Sequence, residues 1–188
     1  MKILSQIVFI LLLSFSIFQL FKPVSPKQKP VLLQTVKLHS INDLNKKDFD
    51  MFKETLEKCF FVKCEFINTA TKVSSCEIIN CEELNNTLYG NKTFLYDSNE
   101  PIDIHFTKTR LSSLGLPVCG VSYGNQIYIR IKDKNQAKST LVHEIAHSFG
   151  LSHCDEKCVM NVNYTLWDCK NDLPIFCDEC KANLLCRF

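Results

Sequence analysis

Apolar and polar positions recur along this chain in blocks that predict a strand, a helix and a second strand before a long polar excursion. Residues 31–38, beginning Val-Leu-Leu-Gln-Thr-Val, are rich in branched apolar side chains and predict the first strand. Phe49, Phe52 and Leu56 then recur at three and four, the spacing of one helix face. A cap at Asn45 or Asp48 would start that helix, and it would run to Leu56 or Lys58. Residues 59–67 turn aromatic and β-branched and predict a second strand, so the three elements argue for a right-handed βαβ unit. Residues 68–99 are polar, with frequent Asn and Thr, and predict loops around one short helix near 81–88. Strands come next at 101–107, 116–121 and 126–131, the last two joined by the turn sequence Ser122-Tyr123-Gly124-Asn125. A helix over about 135–149 then buries Leu141, Val142, Ile145, Ala146 and Phe149 on one stripe. The fold class read from this pattern is α/β, with a mixed sheet and one long helix behind it.

Ahead of these blocks, residues 3–21 carry no charge, a length that can span a bilayer or form the core of a signal peptide. Pro23, Pro26 and Pro30 lie among lysines and detach that segment from the first strand. The chain therefore divides into a signal peptide or membrane anchor over 1–22, a Pro/Lys linker over 23–30 and a domain over 31–188. An N-terminal hydrophobic helix, membrane association through residues 3–21 and a membrane-anchored or secretory localisation are expected. Lys22, Lys27 and Lys29 favour a cytosolic domain, whereas N-x-Thr sequons at Asn85, Asn91 and Asn163 favour the lumen, so sidedness stays open.

With 188 residues, 46% hydrophobic and 22% charged, the chain can bury one sizeable core, and a monomeric single domain is expected. A net charge of +2 gives no field for nucleic acid, and no nucleic-acid partner is expected.

The strongest chemical signal is His143-Glu144-Ile145-Ala146-His147-Ser148-Phe149-Gly150-Leu151-Ser152-His153-Cys154. His143 and His147 are four apart, so on a helix their rings share one face and can share a metal. Glu144 is rotated about 100° from His143, past the metal and toward a bound water. Gly150 can adopt φ > 0 and turn the chain back sharply, which returns His153 as a third ligand. Three imidazoles leave the fourth tetrahedral position of a zinc open, as in catalytic sites. Zinc-activated water with Glu144 as general base and acid is the chemistry of peptide-bond hydrolysis.

Cys154 and Cys158 come at once after the third histidine, and Cys177 and Cys180 form a second close pair. Four thiolates in two pairs make a closed structural zinc site that ties the loop after the helix to the C-terminal segment; two disulfides are the alternative. Of the eleven cysteines, Cys59, Cys64, Cys76, Cys81, Cys119, Cys169 and Cys186 remain, and the first four allow two disulfides or buried thiols.

Together these residues resemble the archaemetzincins, a family of metzincin-clan zinc metallopeptidases with the pattern HExxHxxGxxHC, a second cysteine, a methionine two residues later and a distal CxxC. The resemblance covers best the stretch from about residue 101 to 183. Two loops, between Cys154 and Cys158 and between Met160 and Cys177, are each one residue shorter here than the family pattern. By this resemblance the fold is a metzincin-like zincin domain with a twisted sheet and an active-site helix. Met160 forms the tight turn beneath the histidines, and residues 126–131 are the strand to which an extended peptide adds. The function implied is zinc metallopeptidase, with aminopeptidase action one form that the resemblance implies, two zinc ions per chain and a peptide or protein substrate. A non-catalytic zinc-stabilised peptide-binding protein, or a membrane-tethered scaffold, is the alternative.

Overall fold

The structure, a computed structural model, describes residues 34–41, 45–60, 62–67, 77–90, 96–161 and 176–185. Strand β1 (Gln34–Ser40), helix α1 (Lys46–Cys59) and strand β2 (Val62–Phe66) form the first unit, and β1 and β2 pair in parallel as a βαβ crossover requires. Asn45 caps α1, its side-chain oxygen accepting the Asp48 N–H at 3.0 Å. Strand β3 (Ile78–Asn80) and helix α2 (Cys81–Tyr89) come next, then β4 (Ile102–Thr107), β5 (Arg110–Ser113), β6 (Leu116–Val118), β7 (Gly120–Tyr123) and β8 (Gln126–Arg130). Helices α3 (Lys134–Ser148) and α4 (Asp178–Leu185) complete the described elements.

The main sheet has the order β2-β1-β4-β8-β7, parallel except for β7, and a second sheet has the order β3-β5-β6. Each face of the main sheet carries its own core. Val36, Leu38, Ile104, Phe106, Ile127 and Ile129 join α1 and α3 residues such as Phe52, Leu141 and Ile145 on one face. Tyr128 joins Ile79, Cys81, Leu84 and Leu111 on the other. Burying apolar residues on both faces of β8 is what a central, mostly parallel strand needs.

Two strand expectations are corrected by this topology. Residues 116–121 are split at Cys119: β6 pairs with β5 in the second sheet, whereas β7 pairs with β8 in the first. Residues 126–131 cannot take an added peptide strand, because β8 has β4 on one side and β7 on the other. The outer strand is β7.

The expected membrane-anchored or secretory localisation is also corrected, whereas the expected N-terminal hydrophobic helix lies outside the described residues. No helix among the described residues is long and apolar enough to cross a membrane. The longest described helix, α3, has 15 residues, short of the ~20 apolar residues that a span needs. Residues 3–21, the expected anchor or signal, lie outside the described residues, as do Cys76, Cys169, Cys186, Asn91 and Asn163.

Cys59, Cys64 and Cys81 are free thiols. Cys64 packs in the core on the α3 face and Cys81 in the opposite one. Burial pushes Cys59 up to about 11 and Cys64 and Cys81 to about 12, so they remain protonated and act as small apolar residues. Asn85, the first residue of a sequon, is 2% exposed and accepts a hydrogen bond from the Tyr128 hydroxyl at 3.1 Å. A glycan has no room there in the folded chain.

His105 sits in the middle of β4, stacked on His39 at 4.7 Å and on Tyr128 at 5.0 Å, with the Tyr89 hydroxyl 2.6 Å from its Nε2. Burial first, and the neighbouring His39 second, depress its pKa to about 3, although Asp103 pulls it upward. The unfolded chain then binds a proton that the folded chain refuses. His105 therefore adds stability that is complete above pH ~6.5 and is lost as pH falls toward about 3, on the order of 4 kcal/mol in all. Melting temperatures of the protein and of His105→Phe, followed from pH 7 to pH 4, check this. The variant should show a flatter acid limb, and parallel curves would remove His105 as the source.

Candidate metal centre

Helix α3 begins at Asp133, whose Oδ1 accepts the N–H groups of Asn135 and Gln136 at 2.9 and 3.0 Å. It ends at Gly150, φ +81°, where the Gly150 N–H reaches the His147 carbonyl at 2.7 Å and the Leu151 N–H reaches the Ala146 carbonyl at 2.9 Å. This paired left-handed cap satisfies the last helical carbonyls and reverses the chain, as the spacing of Gly150 predicts. The reversal has a chemical product. The Leu151 carbonyl it exposes lies 2.7 Å from His147 Nδ1.

His143 is held in the same way, its Nδ1 lying 2.8 Å from the Val159 carbonyl. A carbonyl only accepts, so Nδ1 of each ring carries the proton and Nε2 carries a bare lone pair. The Nε2 atoms of His143, His147 and His153 lie 3.0, 3.1 and 3.3 Å from one another. Lone pairs at that separation repel unless a cation lies between them. A tetrahedral zinc with bonds of about 2.0–2.1 Å sets its nitrogen ligands about 3.3–3.4 Å apart, so the tripod fits that ion. Burial lowers the pKa of His143 to about 4 and lowers that of His147, which keeps both rings neutral and able to ligate.

Glu144 is 8% exposed and lies outside the histidine tripod. Burial raises its pKa to about 7 against the pull of a Ser122 hydrogen bond. Ser122 and Gly120 alternate on β7 toward α3, whereas Val121 and Tyr123 join the opposite core. A Cβ on Gly120 would lie 2.5 Å from Thr140 Cγ2 and 3.2 Å from Glu144 Cγ. Gly120 therefore lets the outer strand approach the turn of α3 that carries Thr140 and Glu144. Sequence reasoning missed Gly120 and Ser122, although a glycine inside a strand pattern is a signal of close backbone approach. Gly120→Ala should cost about 1–3 kcal/mol in chemical denaturation, because Thr140 is buried and stiff at χ1. A loss below about 0.5 kcal/mol would mean that β7 yields freely at this point.

Tyr123, on the other face of β7, donates to Glu82 at 2.7 Å, and Ser113 Oγ and the Leu114 N–H donate to the same carboxylate oxygen at 2.7 and 2.9 Å. Burial alone would raise Glu82, but these three donors outweigh it and hold the carboxyl at about 2. The buried Asn125 ties the β7–β8 turn to the preceding loop, donating to the Asp97 and Glu100 carbonyls at 2.8 and 2.9 Å. Ser148 donates to the Gly124 carbonyl at 2.8 Å, so the end of α3 and the turn are joined.

Beyond His153 the four cysteines come together: the Sγ atoms of Cys154, Cys158, Cys177 and Cys180 all lie within 4.8 Å of one another as free thiols. Cys158 Sγ accepts the Cys177 N–H at 3.2 Å and the Met160 N–H at 3.5 Å, and the Cys180 N–H lowers the pKa of Cys177. Four convergent sulfurs with amide donors suit a closed tetrahedral zinc. Met160 is fully buried, and its carbonyl accepts the Cys154 N–H at 3.2 Å. The Val159 carbonyl that orients His143 immediately precedes it. The turn thus supports His143 of the histidine cluster from beside Cys158 of the cysteine cluster.

Comparison with known proteins bears on this geometry. Residues 127–185 match the family described as Peptidase family M54. The archaemetzincin of Nanoarchaeum equitans is 30% identical over 56 residues, 30% of this chain and 33% of that protein. That of Thermococcus kodakarensis is 41% identical over 46 residues, 24% of this chain and 25% of that protein. The sequence matches thus span a quarter to a third of these relatives' own length. Crystal structures of archaemetzincins from Methanopyrus kandleri and Archaeoglobus fulgidus superpose with TM-scores of 0.64 and 0.59 at 20% and 18% identity. They cover 85% and 80% of this chain and 98% and 99% of their own. Over the shared α/β fold, no described helix of this chain is long and apolar enough to cross a membrane, which stands against the expected anchoring. Matched segment, ligand pattern and fold point the same way: over residues 127–185 the chain is similar to Peptidase family M54, and its fold is similar to that of the archaemetzincins.

Proposed function

We propose that residues 31–188 form one zinc-dependent peptidase domain, in which His143, His147 and His153 hold the catalytic zinc and Cys154, Cys158, Cys177 and Cys180 hold a structural one. The observation that carries this reading is the tripod of Nε2 atoms 3.0–3.3 Å apart, with two of its rings fixed through Nδ1 by backbone carbonyls. A zinc ion held there supplies a Lewis acid that polarises a peptide carbonyl and acidifies a water molecule. Glu144, one residue from the first ligand and outside the tripod, takes a proton from the attacking water and returns it to the leaving amine as the C–N bond breaks. An extended peptide adds to the outer strand β7, whose Ser122 also holds Glu144. The solved zinc-dependent peptidase of Methanocorpusculum labreanum, TM-score 0.55, supports the same assignment of metal and chemistry. A peptide-binding protein without catalysis is less favoured, since binding alone gives no reason to bury a carboxylate beside the histidines.

Metal analysis together with peptide turnover tests the proposal. Two zinc ions per chain are expected, one withdrawn readily by chelator with loss of hydrolysis and one retained. A single tightly held zinc, with no hydrolysis of a peptide library, would overturn it.

A further inference from the structure

On the face of the main sheet opposite α3 lies a cavity of about 520 Å³ at the carboxyl end of β8, lined by Ile78, Leu111 and Pro117 and by Arg110, Arg130 and Lys132. Its side of the sheet is set by strand alternation. Ile127, Ile129 and Ile131 pack in the core that contains α3, and Tyr128 packs in the other, so Arg130 projects to the side of Tyr128. The cavity is thus separated from the metal centre by the sheet itself.

Three cations meet here without an acid. No carboxylate lines the cavity, and among the described residues none of the three side chains has an ion-pair partner. Arg130 Nε is buried with no hydrogen-bond partner. Asp133, the next acid along the chain, already has its Oδ1 engaged by the N–H groups that begin α3. A guanidinium donor withdrawn from water and left unpaired is costly unless a ligand completes it. The apolar wall opposite it is also open, since Ile78 is 52% exposed.

We propose that this cavity binds a phosphate monoester carrying an apolar group. A single carboxylate would leave two of the three positive charges uncompensated, whereas a phosphate brings nearly two negative charges and three acceptor oxygens. Arginine forks match phosphate geometry, and Lys132 adds a point charge. Ile78, Leu111 and Pro117 receive the organic part. The volume falls in the range of small-molecule sites, about 300–1,000 Å³, and the position outside the carboxyl end of a parallel strand is where open α/β sheets hold ligands. Nucleic acid is disfavoured by a net charge of only +2 and by a local cavity in place of a basic stripe.

Calorimetric titration of the zinc-loaded protein with phenyl phosphate tests the site, with inorganic phosphate and benzoate as comparison probes. One saturable site is expected for phenyl phosphate, with both comparison probes weaker by about fivefold or more. Arg110→Gln alone, an exposed change that leaves the core untouched, should weaken binding severalfold, and Arg110→Gln with Arg130→Gln by about tenfold or more. Lys53→Gln, on the exposed side of α1, should change nothing. The absence of saturable binding would overturn the proposal. So would undiminished binding in the double arginine variant, which would place the anion at the metal centre, or benzoate binding as tightly as phenyl phosphate.

Discussion

Replacing Glu144 by glutamine should lower peptide hydrolysis by about 10²–10⁴-fold while the three histidines still bind zinc. Glutamine keeps the size and planarity of the side chain, so the close approach of Glu144 to Gly120 is preserved. It also keeps an oxygen that can accept the Ser122 hydroxyl, the one hydrogen bond credited with lowering the Glu144 pKa. What it loses is a group that can take up and release a proton. Among the described residues the converging atoms of this cluster belong to His143, His147 and His153, and Glu144 is not one of them, so metal content should not change. The loss should therefore appear in kcat, with KM nearly constant, because the missing interaction belongs to the transition state. Turnover and zinc content measured on the same preparation separate the two roles. A glutamine variant within about threefold of the parent, zinc retained, would take Glu144 out of the mechanism.

What the sequence revealed of this site was local. The two helical histidines, the glycine that reverses the chain and the third histidine lie within eleven residues, and their geometry is set by one helix and one cap. The Asn45 cap and the apolar stripes of α1 and α3 were legible for the same reason. Contacts made across long sequence separations were not. Strand β3 pairs with β5, Ile78 opposite Arg110, and neither short strand has a pattern that announces itself within a polar stretch. Residues 116–121 read as one strand because alternation continues through Cys119, although the backbone changes sheets there. That change of partner makes β7, and not β8, the outer strand. Sequence order alone does not say which of two neighbouring strands lies at an edge, and with the edge went the roles of Gly120 and Ser122.

The other large effect concerns the cysteine site, where Cys158→Ser or Cys180→Ser should release one zinc and loosen both metal centres together. Cys158 and Cys180 are 1% and 4% exposed and belong to the same core as Phe149 and Leu151, so the C-terminal helix α4 is joined to the domain through a buried joint. Structural zinc in small sites contributes an apparent ~10–16 kcal/mol, as much as the whole stability of an ordinary domain, ~5–15 kcal/mol. Serine has nearly the volume of cysteine but does not supply a thiolate, so packing changes little while ligation fails. The damage should spread, because Cys154 directly follows His153 and the Val159 carbonyl that orients His143 lies between Cys158 and Met160. Catalytic zinc affinity should therefore fall by about 10–100-fold, the usual cost of losing the support behind a metal-bound histidine. Cys59→Ser is the control: that thiol is half-buried, lies outside both clusters and should leave two zinc ions bound. Zinc counted after desalting, with melting temperatures of the three variants, decides the matter, and a Cys158 or Cys180 variant that kept two ions and its parent's melting point would show that these sulfurs hold no metal.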